Sequence, residues 1–153
     1  MSLDEIWDAE RIASVANHPD VFPWICGERT EPFDYTKHVK NRNHIFLFGK
    51  WGGIHVLNMD GAIFDAHPMI LPQGRGFWAQ TAGEDALKFL FAKTCAKEVT
   101  ASVPKGNIPA LAFAIRLGLT FRGAIEDGYQ LRGKMVPLLV HSITKDEYKC
   151  LQH

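Results

Sequence analysis

The stretch ILPQGRGFWAQTAGEDALKFLFAKT, residues 70–94, decides how the rest of the chain is interpreted. Its apolar start gives way to a turn that contains Gly74, Arg75 and Gly76, and a segment with helical spacing follows. A strand, a glycine-containing turn and a helix in this order expose several backbone N–H groups at the helix N-terminus, where they favour a bound pyrophosphate. A plain tight turn explains the same residues, and the stretch alone leaves both interpretations open.

Two details of this stretch limit the phosphate hypothesis. The motifs GxGxxG and GxxxxGK[ST] are absent, so a nucleotide-binding α/β domain is the least favoured hypothesis. The helix also has two alternative starting points, because Thr81 and Glu84 match a capping box while Gly76 directly follows the turn. A start at Thr81 would spread the N–H groups out and weaken the anion site.

The segments before and after this stretch predict a mixed sheet. HIFLFG (44–49), GIHVLN (53–58) and AIFDAHPMIL (62–71) are separated by short turns, which indicates an antiparallel meander. EVTASVP (98–104) alternates in polarity and follows the helix. Because a crossover helix joins the third and fourth strands, we expect these two to be parallel.

The outer segments complete the predicted order. A helix at the start of the chain ends near Asn17, and residues 21–43 are irregular, with a short helix at 34–40. A second long helix covers 108–117, and two strands follow on either side of RGK, the second being MVPLLVHSI (135–143). The predicted class is α/β or α+β, with a mixed, mostly antiparallel sheet, a central parallel pair and flanking helices.

Composition restricts the classes of function. The 153 residues are 46% hydrophobic, which fits one globular domain spanning 1–153. Lys plus Arg (17) balances Asp plus Glu (17), so we predict no nucleic-acid partner. The three cysteines and seven histidines follow no metal-ligand spacing, so we predict no metal. The chain shows neither a signal-type start nor an apolar run of roughly 18 to 20 residues, which favours a cytoplasmic protein without a membrane partner.

Two motifs carry a resemblance to a known superfamily. ILPQGRG (70–76) is similar to an apolar-x-Pro-x-x-Arg-Gly sequence that leads into an acyl-coenzyme A loop. NIPALAFAIRLGLTFRG (107–123) is similar to an Asn-x-x-Ala-x-x-x-Tyr-x-x-x-Gly-Phe helix and its following strand. With the order of elements, they make most of the chain resemble the GNAT superfamily of N-acetyltransferases, and in particular a phage-encoded branch of it. The resemblance implies the GNAT fold and transfer of an acetyl group from acetyl-coenzyme A to an amine by direct attack in a ternary complex.

The resemblance also implies which residues bind acetyl-coenzyme A. Its pantetheine arm would lie between splayed central strands, because Pro68 donates no ladder hydrogen bond. Asn107 would bond this arm or the amine, although a role as helix N-cap is at least as well supported. The backbone of three strand residues would hold the arm: Met69, Ile70 and Leu71. The backbone of seven turn and helix residues would hold the phosphates: Gly74, Arg75, Gly76, Phe77, Trp78, Ala79 and Gln80.

The chain departs from the family pattern in two places. Trp78 and Gln80 occupy positions where glycines are expected, and Ala114 occupies the position of the tyrosine that usually protonates the leaving thiolate. A thiolate of pKa near ~8.5 still leaves without a donor, at some loss of rate. These departures support a second hypothesis, that the chain is a catalytically weak or inactive GNAT-fold protein that binds or assembles with others.

A base is needed because an amine attacks only when neutral, and a lysine-type amine with a pKa of ~10.4 is almost fully protonated at pH 7. The two-residue period of a strand places Asp65 and His67 on one face, beside the expected cleft. We predict that these two residues are catalytic, and the resemblance supports a base from this strand. Ser102 is a further candidate. Alternatively, His67 is a hydrogen-bonded strand-end histidine and Asp65 pairs with a surface cation.

The predicted partner is a small-molecule or peptide amine. The aromatic residues Phe22, Trp24, Phe33 and Tyr35 of the irregular segment would line its pocket, or would instead clamp a loop onto the core. The strand MVPLLVHSI would pair across a homodimer if its edge is exposed.

Overall fold

A seven-stranded sheet forms the centre of the protein in a computed structural model that describes residues 3–152. The strands are β1 (Asp4–Glu5), β2 (His44–Gly49), β3 (Gly52–Asn58), β4 (Ile63–Ile70), β5 (Glu98–Pro104), β6 (Thr120–Leu131) and β7 (Lys134–Thr144). Their order is β1-β2-β3-β4-β5-β7-β6. β4 and β5 pair in parallel and the other neighbours pair antiparallel. The predicted fold class is therefore confirmed.

Helices cover both faces of this sheet. They are α1 (Ala9–Ala16), α2 (Phe22–Ile25), α3 (Phe77–Lys93), α4 (Ile108–Arg116) and α5 (Lys145–Leu151), with 3-10 turns at His38–Lys40 and Pro72–Gly74. On one face, α3 packs on the sheet through a core that includes Leu90, Val56 and Phe64. On the other face, α1 and the segment 17–43 pack through Ile12 and Tyr35 onto the sheet. The two cores explain the apolar side chains on both faces of the central strands.

The N-terminal helix is shorter than the sequence predicts. Leu3 is fully buried in the main core, and the strand that follows it pairs antiparallel with β2, with Asp4 opposite Phe48. The helix begins only at Ala9, where the carboxylate of Asp8 accepts a hydrogen bond from the Arg11 N–H at 3.1 Å. Burial of Leu3 and the β1 ladder outweigh the helical spacing of the first residues.

The long helix α3 starts at Phe77, and the capping box predicted at Thr81 is wrong. The Thr81 hydroxyl donates to the Phe77 carbonyl at 3.2 Å, so it lies inside the helix. The N-cap is Gly76, whose φ of 95° suits a glycine. A true capping box occurs elsewhere, between Thr144 and Glu147 at the start of α5. The sequence TKDE matches that box, although the sequence interpretation did not recognise it.

The position of β7 overturns one prediction about assembly. β7 lies between β5 and β6, with Ile143 opposite Val99 and Leu139 opposite Ala124. From Leu138 onward β7 is paired with β5 on one edge, and β6 pairs along most of the other edge, so this part of MVPLLVHSI has no free edge for a homodimer ladder. The strand at this border of the sheet is β6.

A tyrosine holds the β6–β7 hairpin against the irregular segment. The Tyr129 hydroxyl accepts from the Gly27 N–H at 2.9 Å and donates to the Trp24 carbonyl at 3.3 Å. The Arg132 guanidinium lies 4.2 Å from the centre of the Trp24 ring. These contacts join residues that lie about a hundred positions apart in sequence.

Removal of the Tyr129 hydroxyl is expected to lower the free energy of unfolding. Tyr129→Phe leaves the Gly27 N–H without its acceptor, and a lost hydrogen bond of this kind typically costs about 1 kcal/mol. Tyr148→Phe is the matched control, because its ring packs on Phe91 and its hydroxyl has no hydrogen bond among residues 3–152. Urea unfolding of both variants measures the difference, and equal stabilities would show that the tyrosine contact contributes nothing.

His55 on β3 makes stability depend on pH. Its ring stacks on Phe46 with centroids 4.4 Å apart. Burial, followed by the positive charges of His67, His44 and His38, lowers the pKa of His55 to about 3. In the unfolded chain this imidazole takes up a proton below about pH 6.5, whereas in the folded chain it stays neutral down to about pH 3.

We therefore expect acid to destabilise the protein through His55. The stability that its neutral form contributes is complete above about pH 6.5 and is lost as pH falls towards 3, by up to about 1.4 kcal/mol per pH unit. His55→Phe should lose less stability than the wild type between about pH 7 and about pH 5, because phenylalanine takes up no proton. Urea unfolding at the two pH values tests this, with His18→Gln as control. Equal losses in wild type and His55→Phe would contradict it.

Candidate active site

A gap opens in the sheet between its two parallel strands. β4 and β5 pair only from Ile63 opposite Glu98 to Asp65 opposite Thr100. Beyond this point β4 stays paired with β3 and β5 stays paired with β7 up to the ends of both strands. The two strands therefore separate while their outer edges remain fixed, which leaves backbone groups facing an open cleft.

Prolines on both strands keep this gap open. The Leu71 N–H donates to the Trp51 carbonyl at 2.9 Å and the Lys105 N–H donates to the Pro137 carbonyl at 2.9 Å, which fixes the alternation of hydrogen bonds along β4 and β5. By this alternation, the backbone nitrogens of Pro68 and Pro104 both face the gap. Since proline has no N–H, neither can donate to a continued β4–β5 ladder.

The same alternation separates the three strand residues predicted to hold the pantetheine arm. The backbone of Ile70 faces the gap, whereas the Leu71 N–H is already bonded to Trp51. Met69 faces β3, opposite Gly53, and its side chain is buried in the second core, where the Tyr35 hydroxyl contacts its sulfur at 3.7 Å. Ile70 thus has the most accessible backbone of the three.

The N-terminus of α3 follows directly after β4. The N–H groups of Phe77, Trp78 and Ala79 have no acceptor in the described part of the chain, and the first bond of the helix runs from the Gln80 N–H to the Gly76 carbonyl at 3.0 Å. Gly76 and Phe77 are exposed, the Phe77 side chain by 88%. The start at Phe77 keeps these donors clustered in one helical turn, as an anion site requires.

The side chains of Trp78 and Gln80, which stand where the family has glycines, pack against other parts of the protein. Trp78 is half-buried and packs against the main core. Its ring lies next to Gly74. A Cβ atom added at Gly74 would lie 2.9 Å from Trp78 Cε3 and 2.4 Å from Trp51 Cβ, so only glycine fits at position 74. Gln80 turns towards α4, where its Nε2 donates to the Arg116 carbonyl at 3.3 Å.

Arg75 and Asn107 already have partners within the chain. The Arg75 guanidinium is exposed and donates to the Asp20 carbonyl at 2.7 Å, which ties the turn to the segment after α1. The Asn107 side-chain oxygen accepts from the Ala110 N–H at 3.4 Å and caps α4. The Asn107 amide NH₂ has no partner among residues 3–152, so it is available to a ligand.

Asp65 and His67 form a hydrogen-bonded dyad at the narrow end of the gap. His67 Nε2 lies 2.9 Å from Asp65 Oδ2, and the Thr100 hydroxyl donates to Asp65 Oδ1 at 2.6 Å. Burial raises the pKa of Asp65, but the hydrogen bonds from His67 and Thr100 and the His67 charge outweigh burial, so the pKa lies below its usual value. The carboxylate is therefore ionised and fully engaged, while the His67 side chain is 47% exposed.

A row of histidines extends from this dyad across the sheet, and the sequence interpretation missed it. His55 on β3 lies opposite His67, with ring centroids 5.8 Å apart. His44 Nδ1 on β2 lies 2.8 Å from His55 Nε2, and the His38 ring lies 4.9 Å from the His44 ring. The two-residue period of each strand hinted at one shared face, but the register between strands was needed to align the rings.

Two residues singled out from the sequence remain, Ser102 and Ala114. Ser102 is on β5, beyond the last residue that pairs with β4. Ala114 is buried in the main core, and a methyl group there donates no proton.

The residues 3–152 contain no group of three or more His, Cys, Asp or Glu arranged to hold a metal ion. None of the helices in this part of the chain is long and apolar enough to cross a membrane.

The aromatic residues of the irregular segment pack as a line beside this face. Phe22 contacts Phe33 at a centroid distance of 5.6 Å, and Phe33 stacks on Tyr35 at 5.8 Å. A shallow cavity of about 360 Å³ lies where this segment meets the β6–β7 hairpin. Residues that line it include Phe22, Cys26, Gly27, Glu28, Gln130 and Arg132.

Comparisons with known proteins agree on the architecture. No protein-family model matches the sequence, and no curated protein matches it. Among solved structures, a spermidine N-acetyltransferase from Vibrio cholerae in complex with coenzyme A and spermine aligns over 96% of each chain, with a TM-score of 0.80 and 16% identity. A variant of the Vibrio cholerae enzyme aligns over 100% of both chains, with a TM-score of 0.81 and 15% identity.

A third solved structure extends this likeness beyond one enzyme. A probable acetyltransferase aligns over 92% of this chain and 89% of its own, with a TM-score of 0.72 and 20% identity. Identities this low reflect shared backbone architecture. The chain therefore has the GNAT fold that its resemblance to that superfamily implied.

Proposed function

We propose that the protein is an N-acyltransferase that moves an acetyl group from acetyl-coenzyme A to an amine by direct attack in a ternary complex. One observation carries the proposal: the gap between β4 and β5 runs from the Asp65–His67 dyad to the free N–H groups at the start of α3. A cleft with a base at one end and an anion site at the other fits a thioester attached to a pyrophosphate. The solved structure with coenzyme A and spermine supports the same pair of ligands.

The backbone around the gap would bind acetyl-coenzyme A. The pyrophosphate would accept hydrogen bonds from Phe77, Trp78 and Ala79, aided by the helix dipole. The pantetheine arm would bond to the gap-facing backbone of Ile70, in place of the missing β4–β5 ladder. Arg75, in the turn before α3, and the free amide of Asn107, just after β5, would add polar contacts.

Within the dyad, His67 would be the general base and Asp65 would position it. Donation of the Nε2–H to Asp65 leaves the lone pair on Nδ1 free to accept a proton from the ammonium form of the substrate. The neutral amine then attacks the thioester carbonyl, a C–N bond forms, and the C–S bond breaks to release the thiolate, while the attacking nitrogen gives its remaining extra proton to water. Asp65 is a poor base because its carboxylate is engaged by His67 and Thr100.

The leaving thiolate would depart without a tyrosine donor. Ala114 supplies no proton, and a thiolate with a pKa near ~8.5 is stable enough to leave and be protonated by water. This absence is also the observation that favours the alternative function, a catalytically weak or inactive GNAT-fold protein that binds or assembles with others. Turnover of acetyl-coenzyme A in the presence of amines separates the two functions.

The acceptor would be a small-molecule or peptide amine bound beside Phe22 and Phe33, which are partly exposed, whereas Tyr35 is buried in the second core. The Vibrio cholerae structure holds spermine, so polyamines are the first compounds to test. Release of thiol from acetyl-coenzyme A with spermidine, spermine, a lysine peptide and simple alkylamines would identify the class. Failure of all of them, with coenzyme A still bound, would favour the binding-protein alternative.

A charge at the first residue of α3 is expected to separate cofactor binding from stability. Phe77→Glu places a carboxylate where the pyrophosphate would bind, so the dissociation constant of coenzyme A should rise by about tenfold or more. The same carboxylate interacts favourably with the helix dipole, so the fold should not lose stability. Calorimetry with coenzyme A is the measurement, and Phe77→Gln is the neutral control of equal size. Equal affinities of the two variants would place the pyrophosphate elsewhere.

Substitution of the dyad is expected to reduce turnover more than binding. His67→Gln should lower kcat by about 100-fold or more, the usual contribution of a general base, with little change in coenzyme A affinity. Asp65→Asn should lower kcat less, because the histidine remains and only the negative charge of its hydrogen-bond acceptor is lost. His18→Gln on the α1–α2 connection is the control. If wild-type turnover is measurable and His67→Gln leaves kcat unchanged, the base is a different group.

A further inference from the structure

The histidine row leads from the proposed base to the edge of the sheet. His67, His55 and His44 lie on the neighbouring strands β4, β3 and β2, and His38 lies on the turn that precedes β2. Neighbouring strands are about 4.8 Å apart, so each ring is within reach of the next. The row runs away from the gap, because β3 and β2 lie on one side of β4 and β5 lies on the other.

The contacts along the row suit proton transfer between imidazoles. His44 Nδ1 and His55 Nε2 are 2.8 Å apart, which is a hydrogen bond between two ring nitrogens. The His55 and His67 centroids are 5.8 Å apart and the rings are tilted by 43°, a spacing that one bridging water spans. His44 is only partly buried, so its far nitrogen can exchange a proton with bulk water.

The middle ring of the row is held rigidly and kept uncharged. His55 stacks on Phe46 with an interplanar angle of 14°, and Tyr35 contacts its ring edge-on at 6.1 Å. An imidazole that stays neutral has one nitrogen with a proton and one without, so it can accept a proton on one side as it releases another. Asp65 is the acidic group nearest to it on β4, and His38, His44 and His67 are the basic groups around it.

We propose that His55 and His44 form a proton relay that carries the amine proton from His67 to solvent while substrates cover the cleft. The inference rests on the proposed acyl transfer, and neither residue touches substrate, so both act through His67. The proton on His67 Nδ1 passes through one bridging water to His55 Nδ1. His55 releases its Nε2 proton to His44 Nδ1, and His44 releases its Nε2 proton to bulk water.

The relay changes only N–H bonds and returns to its starting state in each cycle. After product release, water refills the cleft and the proton transfers between the rings run in reverse. His44 takes up a proton from solvent, and His55 gives its Nδ1 proton to water in the cleft. Asp65 keeps its hydrogen bond to His67 throughout. The route is useful only while acyl donor and acceptor cover the otherwise exposed His67 ring.

The test breaks the relay at its outer ring, where the fold tolerates change best. His44→Phe keeps an aromatic ring beside Phe46 but has no nitrogen to pass a proton, and His44→Gln is a second, polar variant. Steady-state kinetics with an amine that the wild type acetylates are measured in weak buffer, then with added imidazole. His18→Gln, which lies outside the row, is the control.

In weak buffer, both His44 variants should lose about tenfold in kcat, with KM for amine and acetyl-coenzyme A unchanged. Imidazole should restore kcat in the variants and leave wild type unaffected, because a small diffusible base replaces the missing ring. Unchanged kcat in both variants, or a loss that imidazole does not restore, would overturn the relay. Those two outcomes would affect the relay alone. Wild-type protein that turns over no amine would overturn the proposed function and the relay together.

Discussion

The separation of β4 from β5 is the constraint on which the rest of the structure depends. A buried parallel pair normally continues its ladder, because unpaired backbone groups cost free energy. Here Pro68 and Pro104 remove the donors that a continued ladder would need, while the neighbouring strands hold both outer edges in place. The resulting cleft has carbonyl and N–H groups without partners, and an extended ligand can satisfy them as a strand would.

The chemistry of the cleft follows from what lies at its two ends. At the narrow end, the last paired residues Asp65 and Thr100 bring a carboxylate and a hydroxyl together, and the carboxylate orients His67. At the wide end, the chain leaves β4 through a turn with Gly74 and Gly76 and starts a helix whose first N–H groups are free. The proposed acceptor activation and phosphate binding would thus both depend on one strand and its immediate continuation.

The histidine row shows how a sheet converts local sequence into a connected site. Taken alone, none of these histidines points to a site, and the partly buried His55 is unfavourable for stability in acid because its burial makes the folded state sensitive to low pH. Alignment by the β2–β3–β4 register gives the rings contacts that none has alone. The proposed relay gives a reason for keeping an acid-sensitive residue at this partly buried position.

The sequence by itself determined the order of the central elements, the parallel pair, the Asp65–His67 face and the glycine turn before α3, because periodicity and turn chemistry are local properties of the chain. It did not determine that Leu3 is buried just before a strand, that β7 is internal, or that His44 and His55 meet. Those features depend on burial and on pairing between distant segments. Only the tertiary structure decided them, because a register between strands is fixed by the packing of the whole sheet and is not encoded in either strand alone.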